Sequence, residues 1–173
     1  RAEELWRITN HKYVLIYPSE KAPIVEQILG RDLDDTAMWQ RAEQQARADL
    51  AQQPNDRFAW FNLGSSLFAQ GKTDEAISAF QTAQKIGLPE RVLWDQDELF
   101  EAYYAAGQNQ AVIDLADQTL RSASGIEELY YWKALALAAL GDHDLARRNL
   151  QEALTINSEY GQALAALASM PGG

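Results

Sequence analysis

The feature that most constrains this chain is a helix-pair pattern that recurs roughly every 34 residues. It is clearest as Trp60-x2-Leu63-Gly64-x2-Leu67-x3-Gly71, followed by Ala76-x3-Phe80-x2-Ala83 and then Pro89. Glycines suited to inter-helix turns stand at Gly71, Gly107 and Gly141, 36 and 34 residues apart. A fixed period of this size predicts stacked helix pairs, each burying its apolar face on the next. Such stacks present an extended concave surface, and surfaces of that kind mostly bind other polypeptides.

The local signals support that reading. Asp56 is a good N-cap for a helix over 57–70, because its carboxylate can accept from the free N–H groups of the first turn. Trp60, Leu63, Gly64 and Leu67 make one apolar stripe, with Gly64 small where a partner helix must come close. Gly71 ends the helix in a left-handed cap. Thr73 is the expected cap of the second helix, which carries Ala76, Phe80 and Ala83 and stops at Gly87 and Pro89.

In the next pair Leu99 and Tyr103 match Leu63 and Leu67, and Phe100 stands at the Gly64 position, where its bulk is expected to splay the pair. Ala111 and Leu115 match Ala76 and Phe80 if one residue is deleted after Gly107. The third pair, 127–157, carries Tyr130, Ala134 and Leu137, then Ala146, Leu150 and Ala153. Lys133 takes the Leu63 position, its stem packing while its amine reaches water. A last helix over 159–169, with Ala163, Leu164 and Leu167, is expected to cap the stack, and 171–173 to fray. Upstream, 36–53 reads as a lone second helix with Ala42 and Ala46 on its packing face.

Residues 1–33 are of another kind. Lys12 to Tyr17 is a β-branched and aromatic run closed by Pro18, a strand signal, and Ser19 caps a short helix ended by Gly30. A lone strand cannot satisfy its own backbone groups, so Tyr13 to Tyr17 is expected to pair with an upstream domain, a second copy of the chain or another short strand. Starting at Arg1 without a methionine, and with no signal peptide, the chain is expected to continue upstream into a signal or another domain.

Composition excludes several functions. A net charge of −10 opposes nucleic acid, whose phosphates need a basic face. No apolar run reaches the roughly 18 residues of a membrane span. The absence of cysteine removes disulfides, thiolate metal sites and a cysteine nucleophile. No phosphate loop, zinc signature or serine-type nucleophile motif occurs, so neither cofactor nor metal is expected. Asp32, Asp34 and Asp35 lack the spacing and glycine of a calcium loop and read as a solvated capping turn. His143, in a Gly-Asp-His-Asp turn, reads as solvated, His11 has no nucleophile to serve, and Asp95 with Glu98 reads as ordinary helix polarity.

The pattern Trp60, Leu63, Gly64, Leu67, Ala76, Phe80, Ala83 resembles the tetratricopeptide repeat, and with the weaker pairs at 91–121 and 127–157 the resemblance covers about 36–170. It departs from the usual pattern at Leu67, Asp49, Phe100 and Ser158. It implies an all-α superhelix of about three repeats plus a capping helix, with a small strand–helix fragment before it, acting as a non-catalytic protein-binding scaffold. It also implies that the first helices line the groove. Their second stripes are Phe58, Phe61, Ser65 and Phe68, then Trp94, Asp97, Glu101 and Tyr104, then Glu128, Tyr131, Leu135 and Ala138. The groove residues expected are Phe61, Ser65, Trp94, Asp97, Glu101, Tyr104, Tyr131 and Leu135, an aromatic floor with acidic teeth. Phe58 and Phe68 read as packing residues. Such a groove suits apolar and basic side chains, and Asp97 and Glu101, standing where clamp residues for an acidic C-terminus would sit, would repel one.

A second resemblance rests on the order of a strand ending Tyr17-Pro18, a short helix, a helix with Trp39, then Ala59 to Gly64 and Ile86-Gly87-Leu88-Pro89. This is similar to the C-terminal region of some bacterial proteins with a papain-like, bacteriocin-processing-type peptidase domain before a tetratricopeptide tail. It implies that 1–17 closes that domain, that the nucleophile-bearing part is absent here, and that the protein is extracytoplasmic; without it a cytoplasmic place is expected. The alternatives to a free-standing scaffold are therefore an accessory tail of a cysteine peptidase-like protein, or a self-association module dimerising through the strand at 12–17.

Overall fold

The computed structural model describes residues 35–89, 92 and 97–170, the side chains from residue 38 onward. The strand at 12–17, the short helix after it, Asp32, Asp34, His11, Trp94 and the tail 171–173 lie outside the described residues. Those described hold eight helices and no strand: α1 Asp35–Gln52, α2 Arg57–Ala69, α3 Thr73–Ile86, α4 Glu98–Ala105, α5 Asn109–Ser122, α6 Glu127–Ala139, α7 His143–Ile156 and α8 Gly161–Ser169. By packing, the chain divides into two compact units, one ending at Leu88 and one beginning at Pro89.

In the N-terminal unit α1 packs on α2 and α2 on α3. Asp56 caps α2 as expected, its Oδ1 accepting from the N–H of Phe58 at 2.9 Å and of Ala59 at 3.3 Å. Gly71 adopts φ 75°, and the turn closes with the Gly71 N–H on Phe68 O at 2.8 Å and the Lys72 N–H on Leu67 O at 3.0 Å. Only a residue without a Cβ takes that backbone freely. Thr73 is not the cap of α3: it is the first helical residue, and Lys72 holds the capping position without a side-chain bond.

The stripe on α3 is buried, Ala76, Phe80 and Ala83 each at 0% exposure. Phe80 lies over Gly64 so closely that a Cβ there would sit 2.5 Å from its ring. From α1, Glu43 ties down the α2–α3 turn: its carboxylate accepts from Lys72 Nζ at 2.8 Å and Gln70 Nε2 at 2.9 Å, and Arg47 braces it from one turn away. The Lys72 bond, with help from Arg47 and Gln70, holds the Glu43 carboxyl down to about 2. Ala42 and Ala46 are buried, as a thin packing face requires.

In the C-terminal unit α4 packs on α5, α5 on α6, α6 on α7 and α7 on α8, with α6 also touching α4 and α8. Gly107 and Gly141 repeat the Gly71 turn, with φ 70° and 89°. The register that follows differs from expectation. Val112, Ile113, Leu115, Ala116 and Thr119 are the buried residues of α5, with Val112 and Ala116 fully enclosed, whereas Ala111 is half-exposed. Val112 and Ala116 stand five and nine residues after Gly107, as Ala76 and Phe80 do after Gly71 and Ala146 and Leu150 after Gly141. No residue is deleted.

This register also changes the meaning of Phe100. Across from the Gly64 position stands Phe80 in the first pair, but the equivalent of Phe80 in the second is Ala116 and in the third Leu150. The partners therefore read Gly with Phe, Phe with Ala, and Ala with Leu. Phe100 and Ala116 are both 0% exposed, the bulk having moved from one helix to the other. Close packing holds the summed volume rather than either residue. Lys133 does not simply reach water: its amine pairs with Asp117 of α5 at 2.5 Å. In α8 only Ala163 is buried, while Leu164 stays exposed.

Gly64→Ala is expected to destabilise the N-terminal unit by about 1–3 kcal/mol through overpacking. Adding Phe80→Leu should cost less than the two single changes summed. Denaturant unfolding followed by circular dichroism measures both, and strict additivity would contradict the Gly64–Phe80 pairing.

Candidate functional site

The two described stripes of the C-terminal unit are Asp97, Glu101 and Tyr104 on α4, and Glu128, Tyr131 and Leu135 on α6. They stay at the surface because the packing stripes Leu99, Phe100 and Tyr103, and Leu129, Ala136 and Leu137, take the opposite side of each helix into the core. Tyr104 is 36% exposed, Glu101 is exposed, and Asp97, Glu128, Tyr131 and Leu135 are partly so.

Trp132 fastens these stripes together. Its ring lies 6.0 Å from Tyr104 and 5.5 Å from Tyr131, and Tyr131 meets Tyr160, just before α8, edge-on at 5.6 Å. Edge-to-face spacings of this kind are favourable beyond the area they bury. The indole N–H of Trp132 donates to Asp97 Oδ2 at 2.9 Å. Asp97 holds the capping position of α4, yet makes no side-chain cap bond. Its carboxylate is turned to α6 instead.

The acids of this surface are crowded. Burial, and then the neighbouring Asp97, raise the Glu101 carboxyl above its ordinary range even though the residue is exposed. Burial raises Glu128, with Glu127 and Asp97 adding to it. The phenols feel the same field. Tyr131 is raised by burial and then by Tyr104, Asp97 and Glu101, and Tyr160 by burial and then by Glu128, Asp97, Tyr131 and Glu127. Glu98 is the extreme case. Its Oε2 is shut from solvent and finds no hydrogen-bond donor among the described residues. Burial, with Asp97 and Glu101 close by, pushes its carboxyl up from 4.5 to about 7.

The N-terminal unit places its stripe differently. Phe61 and Ser65 are 2% and 3% exposed, so they offer no surface to a ligand. The Phe61 ring packs against Phe80 at 5.0 Å, filling the space beside Gly64, and the Ser65 hydroxyl is buried without a partner among the described residues. Phe58 is half-buried beneath the Arg57 guanidinium at 5.2 Å, and Phe68 is half-buried as well. Trp132 and Tyr160 are not singled out by the sequence, and Glu98, which reads there as ordinary helix polarity, proves to be enclosed. Trp132 and Tyr160 fall off the helical stripe, and Glu98 looks on paper like any first-turn acid. His143 is exposed at the start of α7. Among the described residues no three metal-ligating side chains gather, and no helix is long and apolar enough to cross a membrane.

Two family models described as tetratricopeptide repeat match the sequence, one over residues 29–88 and one over 127–160. The chain belongs to the tetratricopeptide repeat family. Solved structures agree on this all-α fold. A crystal structure of MamA superposes with a TM-score of 0.67 at 18% identity, over 88% of this chain and 82% of that one. The MamA RS-1 ArsTM double mutant gives 0.64 at 14% identity over 78% and 82%, and a further MamA crystal structure 0.61 at 17% over 78% and 79%. No curated protein matches. At these identities the likeness is one of fold. The tetratricopeptide repeat is a protein-interaction scaffold, and α6 opens the repeat matched over 127–160.

The raised Glu98 has a measurable consequence. Between pH 4.5 and about 7 the folded chain holds a proton there that the unfolded chain has released. Stability from this group is therefore fully present below 4.5 and is lost as pH rises through 7. Glu98→Gln should stabilise the protein by about 1–3 kcal/mol at pH 8 and change little at pH 4.5. Urea unfolding at both values is the check, and an equal effect at the two would contradict the burial of this carboxyl.

Proposed function

We propose that this chain is a non-catalytic scaffold that binds a polypeptide along the exposed stripes of α4 and α6. The observation that carries the reading is the division of each first helix into two sides. One side is spent on the core, while the other keeps Asp97, Glu101, Tyr104, Glu128, Tyr131 and Leu135 at the surface. Partly exposed aromatic rings are the usual anchors of peptide recognition, and the acids around them select the partner's charge. The ligand that fits carries apolar and basic side chains. A terminal carboxylate does not fit, since Asp97 and Glu101 would repel it.

Selection from a displayed peptide library tests this reading. Peptides enriched on the wild-type chain should bind a Tyr104→Ala, Glu101→Lys variant at least about tenfold more weakly, with helicity unchanged. Enriched peptides that bind both proteins equally would place recognition on another face.

A further inference from the structure

The surface just described gathers acids from the α4 cap and from α4 and α6. Elsewhere two half-buried acids are answered by cations, Glu43 by Lys72 and Arg47, and Asp117 by Lys133. Among the described residues no lysine or arginine forms an ion pair with Asp97, Glu98, Glu101 or Glu128. Yet Asp97, Glu101 and Glu128 lie close enough to the Tyr131 and Tyr160 phenols to shift their ionisation. The acids are thus interleaved with a series of four rings, Tyr104, Trp132, Tyr131 and Tyr160.

Their chemistry defines what can fill the place. Among the described residues no three of the acids converge as ligands of a metal ion would. The arrangement asks for a larger cation with an apolar face, able to lie on a ring and to donate to more than one carboxylate. A guanidinium is planar, stacks on aromatic rings and carries five donors in a fixed fork, whereas an ammonium is a compact, strongly hydrated point charge. We propose that the Asp97, Glu101, Glu128 and Tyr131 cluster is a binding site for an arginine side chain of the polypeptide partner. The proposal rests on the scaffold reading above and gives its ligand a chemistry. In the bound state the guanidinium lies against Tyr131 and donates to the carboxylates of α4 and α6, alongside the bond that Asp97 already accepts from Trp132.

Fluorescence anisotropy with labelled octa-arginine, octa-lysine and octa-citrulline tests the proposal. Octa-arginine should bind at least about threefold more tightly than octa-lysine, and octa-citrulline at least about tenfold more weakly than octa-arginine. Tyr131→Leu should weaken octa-arginine by about threefold or more, while Tyr131→Phe, which keeps the ring face, should not. Glu101→Gln with Glu128→Gln changes surface groups and keeps the fold, so it guards against loss of binding through misfolding. It should weaken octa-arginine well beyond the effect of Asp114→Asn, an exposed acid on α5.

Octa-arginine binding that ignores Tyr131→Leu, or that falls as much with Asp114→Asn as with Glu128→Gln, would reduce the effect to diffuse attraction by net charge and overturn the proposal. So would no binding of octa-arginine at all. If library peptides still depend on Tyr104 and Glu101 in that case, the scaffold reading stands and the arginine site alone falls.

Discussion

The contact on which the N-terminal unit depends is the ring of Phe80 laid on Gly64. A single Cβ at Gly64 would stand 2.5 Å from that ring, so the two helices of the pair can meet only because the atom is missing. The other pairs solve the same volume problem with different residues. Phe100 stands opposite the Ala116 position and Ala134 opposite that of Leu150. Repeats can drift in sequence while keeping one geometry because the packed interior constrains the sum of two side chains, not each one. The left-handed glycines at 71, 107 and 141 then fix the phase, so that positions five and nine residues later enter the core in every pair.

Once one stripe of each first helix is spent on packing, the other is free to carry function. In the N-terminal unit it is largely consumed as well, because Phe61 turns inward to Phe80. In the C-terminal unit Trp132 takes the inner place, and the acids and tyrosines around it stay accessible. This arrangement carries a cost. A carboxylate as enclosed as Glu98, with like charges beside it, favours the proton-bound form near neutrality and works against stability when ionised.

Much of this fold was legible in the sequence because its signals are local. Asp56 as a cap, the three glycine turns, and the stripes Leu63–Leu67 and Ala76–Phe80–Ala83 all follow from spacing and from the conformational freedom of single residues. In the second helix pair the register follows spacing rather than residue type. Ala111 resembled Ala76 by type, but Val112 has the right distance from its glycine. Phe100 looked too large for its place because its opposite number, Ala116, had not been aligned. The candidate site was legible only as a stripe. That Phe61 and Ser65 close into the core, and that Glu98 is enclosed, depends on tertiary neighbours distant in sequence. The ring series runs from Tyr104 on α4 through Trp132 and Tyr131 on α6 to Tyr160, just before α8, and its Trp132 and Tyr160 members fall on no periodic stripe.

The central claim is that the exposed stripes of the first helices α4 and α6 are the surface a partner occupies. Amide hydrogen exchange, with and without a peptide selected on the wild-type chain, tests it most directly. The account predicts slowed exchange over 98–105 and 127–139, with α5 and α7 unchanged. Protection confined to α5 and α7, with the first helices unaffected, would contradict it.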